Sequence, residues 1–191
     1  MSDMIKSLTE RIRALEAELE TELENRRADL TYRIENGRAV FDAEVARRQA
    51  EFRVNLVKYV RHAPLMTMLT APLIYGVIFP LLFLDLLVSL YQAVCFPVYG
   101  IDKVRRGDHI VFDRQRLHYL NSLEKLNCVY CSYGNGLLAY ASEIASRTEA
   151  HWCPIKHAQR LAATHRRYAD FADYGDAEGY RQRIEAARRK G

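Results

Sequence analysis

The sequence predicts an all-α chain in three parts. These are a long N-terminal coiled-coil-like helix over residues 1–62, a bent hydrophobic membrane hairpin over 63–101, and a small helical metal-binding domain over 102–191. Three observations carry that prediction: the segregation of charge, an eleven-residue recurrence of apolar residues, and one spaced set of cysteines and a histidine. Residues 1–62 hold 12 Lys/Arg and 12 Asp/Glu, residues 63–101 hold only Asp85, and residues 102–191 hold 16 bases against 11 acids. The mean hydropathy of −0.25 therefore averages three unlike segments. Such a layout excludes a single water-soluble core, a disordered chain and a collagen-like fibre.

The first segment contains no proline and one glycine, Gly37, among good helix formers. Ile5, Leu8, Ile12, Leu15 and Leu19 alternate by three and four, as a heptad seam does. Leu8, Leu19, Leu30, Phe41 and Phe52 then recur every eleven residues, as do Ile12, Leu23, Ile34, Val45 and Leu56. Eleven residues in three turns keep a stripe nearly straight, so a rod is expected whose narrow seam, through residues 5–56, binds a second copy or a helical partner. Folding back onto its own C-terminal domain is the alternative. Asn36-Gly37 marks a kink, or a point where the rod divides into two antiparallel helices. Bases concentrate towards the apolar segment, nine of them over residues 25–62 against five acids. That favours anionic lipid headgroups. Nucleic acid is not expected, because no aromatic or glycine-rich RNA motif accompanies the charges.

Residues 63–101 are too apolar for a soluble core and too far from the N-terminus for a signal peptide. As one straight helix they would reach about 58 Å against a hydrocarbon slab of ~30 Å. Pro64, Pro72, Pro80 and Pro97 offer bends, and a turn near Pro80–Asp85 would make a hairpin of two short spans or a shallow re-entrant loop. Basic residues on both shoulders, Arg53, Lys58 and Arg61 before and Lys103, Arg105 and Arg106 after, place both flanks in the cytoplasm by the positive-inside rule. Asp85, the intramembrane acid, reads either as a functional ion or proton site or as a carboxylate at the hairpin turn. The turn is favoured, since no second ionisable group stands near it in the sequence. Cys95 reads as a small buried hydrophobe.

In the third segment, His109–Phe112 suits a short strand and Asp113 the N-cap of a helix to about Asn127. Cys128-Val-Tyr-Cys131 then leads into a glycine-rich knuckle, a second helix over 136–151, and a third starting at Pro154 with Cys153 as its cap. Two more helices fit the tail, broken at 173–176. A CxxC turn aims two sulfurs at one point, and His157 follows Cys153 by one helical turn. Cys128, Cys131, Cys153 and His157 therefore make a Cys3His set spaced C-x2-C-x21-C-x3-H. Structural zinc is the expected ion, with a [2Fe–2S] cluster as the alternative and three unlinked core cysteines as the plain reading. His165, His151 and Trp152 are candidates for the surroundings of that site. No nucleophile–base pair or phosphate-binding loop is present, so no small-molecule substrate or reaction is identified.

The stretch from Phe96 to His157, through FPVYGI, LEKLNCVYCSYGNG and SRTEAHWCPIKHA, resembles a group of small uncharacterised bacterial membrane proteins with a CxxC…WCPxxH signature. That resemblance implies a bacterial inner-membrane setting and no particular chemistry. The expected function is a membrane-anchored, cytoplasm-facing adaptor or scaffold with a structural zinc. The alternative is an iron–sulfur electron-transfer or cluster-carrying protein serving a membrane oxidoreductase.

Overall fold

The structure, a computed structural model, describes residues 3–29, 32–35 and 38–188. It is mostly helical: α1 Asp3–Asp29, α2 Ala43–Glu51, α3 Leu56–Arg61, α4 Leu65–Gly76, α5 Ile78–Tyr99, α6 Ser122–Trp152 and α7 Ala177–Arg188. Two short strands, β1 Tyr32–Glu35 and β2 Arg38–Phe41, pair antiparallel with Tyr32 opposite Phe41 and Glu35 opposite Arg38. The continuous helix expected over 1–62 is thus corrected to a helix, a β-hairpin and two short helices. Alternating aromatic and β-branched residues in TYRIE and RAVF favour strand, and Asn-Gly between two such runs is a strong hairpin signal. Gly37 itself, expected as the kink, lies outside the described residues.

α4 and α5 are separated by Val77 alone and together form one helical stretch, Leu65–Tyr99, long and apolar enough to cross a membrane. The hairpin expected near Pro80–Asp85 is not formed, because α5 runs unbroken through both residues. Pro80 sits in the first turn of α5, where a missing N–H costs nothing. Its ring does deny the Gly76 carbonyl a helical partner, which accounts for the break at Val77.

The chain turns after α5 at Gly100, whose φ of 65° lies in the left-handed region, while Ile101 N–H bonds back to the Phe96 carbonyl at 2.9 Å. Residues 100–121 return along the helix as irregular chain with two short 3-10 turns, at 106–108 and 114–116. The strand expected at 109–112 and the helix expected from Asp113 are absent. Asn121 instead caps α6 through a capping box with Glu124. α6 then runs parallel to α4–α5. Tyr75 bonds Asn127, Tyr133 bonds Asp85, Tyr91 bonds Thr148, and Tyr99 meets Trp152. The core lies where α5, α6 and the returning segment meet: Phe96, Val104, Ile110, Leu137, Tyr140 and Ile144 are all buried.

Gly134 and Gly136, expected in a knuckle, lie inside α6. A Cβ on Gly136 would stand 2.6 Å from the His109 carbonyl oxygen and 2.9 Å from Ile110 Cα. The glycine therefore admits the backbone of the returning segment.

Candidate functional site

The two faces of α5 invert the arrangement found in a water-soluble helix. Its open face carries Phe79, Leu82, Phe83, Leu86, Leu87, Leu90, Val94 and Val98, all exposed. The face turned towards α6 and the returning segment carries Asp85, Ser89 and Gln92 beside Leu81, Leu84, Val88 and Phe96. A helix in water puts apolar residues inside and polar ones outside. Large contiguous apolar surfaces on soluble monomers are rare, and α4 extends this one with exposed Leu65, Met66, Leu69 and Leu73.

Asp85 is neither at a turn nor alone. Arg106 Nη2 lies 2.6 Å from its Oδ2, the Tyr133 hydroxyl donates to Oδ2 at 3.0 Å, and Ser89 donates to Oδ1 at 3.3 Å. The partner missing from the local sequence comes from the returning segment, 21 residues later. The Asp85 carboxylate holds the Arg106 guanidinium even more firmly protonated than usual, chiefly through their hydrogen bond. This pair fastens the segment to the middle of α5. Two helical turns further along, buried Gln92 does similar work: its Oε1 accepts from Val104 N–H at 2.8 Å and its Nε2 donates to the Val104 carbonyl and to Tyr140. A side-chain amide thereby serves both backbone groups of Val104.

The four expected metal ligands are not brought together. Cys128 and Cys131 lie on adjacent turns of α6, and Cys153 caps the far end of the same helix. At ~1.5 Å per residue, 22 to 25 residues of helix hold the two pairs about 33–37 Å apart. Among the described residues no group of three or more His, Cys, Asp or Glu is placed to hold a metal ion. The Cys3His set therefore does not fit a zinc ion or an iron–sulfur cluster within one chain. The correction has one physical cause: α6 continues through the expected knuckle. Cys153 also falls at the C-terminus of a helix, with no helix starting at Pro154, so the dipole opposes a thiolate rather than favouring it. Desolvation and the nearby Glu149 carboxylate both push its thiol above the ordinary value.

The remaining candidates take up other work. His157 stacks on Tyr168 with ring centroids 5.9 Å apart, and its backbone N–H donates to that hydroxyl at 2.6 Å. His165 pairs with Glu149 at 2.8 Å and packs on Phe171. His151 and Trp152 gather around Tyr99, at centroid distances of 5.9 and 5.2 Å. That aromatic group closes the C-terminal ends of α5 and α6.

Arg167 was not anticipated by sequence reasoning, although its partner Glu143 makes an evident i,i+4 pair with Arg147. It grips Glu143 with two parallel bonds of 2.8 Å, while Arg147 adds a third at 2.8 Å and donates to the Asp102 carbonyl at 2.6 Å. The Arg167 bonds hold the Glu143 carboxyl well below its ordinary 4.5, at about 2, against the effect of partial burial. Three segments are joined there: α6, the turn after α5, and the 3-10 helix Arg166–Asp170.

Compared with known proteins, the chain matches no family model, no curated protein and no solved structure.

Proposed function

We propose that this protein is a membrane-anchored adaptor or scaffold that lies on the cytoplasmic face of a bacterial inner membrane, its α4–α5 stretch sunk lengthwise into one leaflet. The observation that carries the reading is the inverted helix: apolar residues face outward and Asp85, Ser89 and Gln92 face inward. A crossing perpendicular to the bilayer is disfavoured by the returning segment. Arg106 is fixed at mid-helix and the neighbouring Arg105 side chain is 86% exposed, and each such cation costs ~2.5–3.5 kcal/mol at the centre of the hydrocarbon. A shallow seat leaves these charges at the headgroups and keeps both basic shoulders on one side.

The adaptor function belongs to α1. Leu8, Ile12, Leu15, Leu19 and Leu23 are all exposed along it. Arg13, which reaches Asp170 at 3.5 Å, lies about 120° around the helix from the seam centre at 100° per residue. The seam thus points away from that contact. Ile5 and Ile12 fall at heptad position a, and Leu8 and Leu15 at d, a pattern that favours parallel two-stranded coils. In that register Arg11 of one copy lies opposite Glu16 of the other. A second copy is the partner this pattern suits. No metal enters the reading, since its expected ligands are held apart.

Flotation of the full chain with vesicles of phosphatidylcholine and phosphatidylglycerol (3:1) tests the anchor. The wild type is expected to float and to stay bound in 1 M NaCl. Phe83→Glu with Leu87→Glu is expected to remain in the dense fraction, still helical by circular dichroism. A wild type that is soluble and monodisperse without lipid or detergent would overturn the reading.

A further inference from the structure

Where α3 runs into α4 and both approach the start of α6, the chain forms a half-open cavity of about 640 Å³, within the size range of small-molecule sites, roughly 300–1,000 Å³. Val54, Val60, Met68, Ala71 and Leu123 give it an apolar wall. Tyr75 and Asn127 also line it, the Tyr75 hydroxyl donating to Asn127 Oδ1. Lys58 and His62 also line an adjoining hollow of about 440 Å³, together with Arg61 and Asn55. Among the described residues no carboxylate pairs with Lys58 or Arg61, and both are exposed. His62 Nδ1–H donates to the Lys58 carbonyl at 2.7 Å, which leaves Nε2 to accept from an outside donor such as a headgroup hydroxyl.

We propose that this double hollow holds one anionic phospholipid, with an acyl chain in the apolar chamber and the phosphate against Lys58 and Arg61. A free phosphate would leave the chamber unfilled, and a neutral apolar molecule would leave two unpaired cations at its mouth. The chamber is walled by α4, whose outer residues meet the leaflet, so a chain enters without crossing water. The assignment rests on the membrane reading above and adds a lipid-specific site to it.

The test uses the full chain in dodecylmaltoside and three probes: phosphatidylglycerol with one pyrene-labelled chain, phosphatidylcholine labelled identically, and the pyrene-labelled fatty acid alone. Saturable one-to-one binding of the phosphatidylglycerol is expected, with phosphatidylcholine about tenfold weaker. Ala71→Trp, which fills the chamber, is expected to abolish binding. Lys58→Glu and Arg61→Glu, both on exposed positions that folding does not need, are each expected to weaken it about tenfold. Ala71→Trp is expected to float with vesicles as the wild type does. Binding that survives Ala71→Trp would place the probe on the open apolar face and overturn the site. Equal binding of the two phospholipids, or binding of the fatty acid with both excluded, would overturn the phospholipid assignment. A wild type that fails to float shows that the membrane reading has failed, rather than the site alone.

Discussion

Gly134 and Gly136 are two residues apart on one helix and answer to opposite rules. A Cβ on Gly134 meets only Leu81 Cδ1, at 3.4 Å, an ordinary contact with a mobile side-chain end. Gly134→Ala should therefore gain part of the ~1 kcal/mol that alanine offers over glycine in a helix. At Gly136 the added carbon meets backbone that cannot move without releasing Ile110 from the core, so Gly136→Ala should cost ~1–3 kcal/mol. Thermal unfolding in detergent should show the two midpoints moving in opposite directions. Glu143 gives a second residue-scale expectation. Its carboxyl is held at about 2, below the ordinary 4.5. Its contribution is therefore complete above about pH 4.5 and disappears as pH falls through about 2. With Arg167 a third exposed, that contribution is discounted to about 1–3 kcal/mol. Glu143→Gln should lower stability at pH 7 by that amount and flatten the acid limb of the stability curve. An unchanged acid limb would mean that Arg167 and Arg147 do not hold the carboxylate in solution.

Among the elements, α1 is tested through its seam. Leu15→Asp places a charge at a central, exposed d position, so it should abolish self-association by analytical ultracentrifugation while vesicle flotation is retained. A dimer that persists in Leu15→Asp would remove the seam from its proposed role. The elements also divide by how far they could be read in advance. α1 was legible from its heptads, and the apolar segment from the absence of charge, because both signals are local and long. The eleven-residue rows misled across residues 30–42. They counted Ile34 and Phe41 in one stripe, although the strand alternation and Asn-Gly between them argue for a hairpin on shorter range. Cys128 and Cys131 misled for the opposite reason. The glycines after them read as a turn, and only Ile110, arriving from a segment earlier in the chain, shows why glycine is needed inside a helix. Arg106 beside Asp85, and Arg167 on Glu143, were illegible because they are 21 and 24 residues from their partners with no helical or strand period linking them.

At the scale of the molecule, the net charge of +4 and the apolar stretch belong to one arrangement. The bases at residues 53–61 and 103–106 border the exposed face of α4–α5, and Tyr99, His151 and Trp152 close its far end with aromatic rings of the kind that settle at a membrane interface. Asp85 and Gln92 tie the charged returning segment to the side of α5 away from that face, and Gly136 admits it against α6. The central claim is that the outer face of α5 lies in lipid. Depth-dependent quenching by brominated phosphatidylcholines measures it most directly, with single tryptophans introduced in a Trp152→Phe background. Phe83→Trp should emit in the blue and be quenched most by bromines well down the acyl chain, Phe52→Trp should stay unquenched in water, and native Trp152 should be quenched best near the headgroups. A Phe83→Trp indole that emits like one in water, with no quenching at any bromine depth, would contradict the claim.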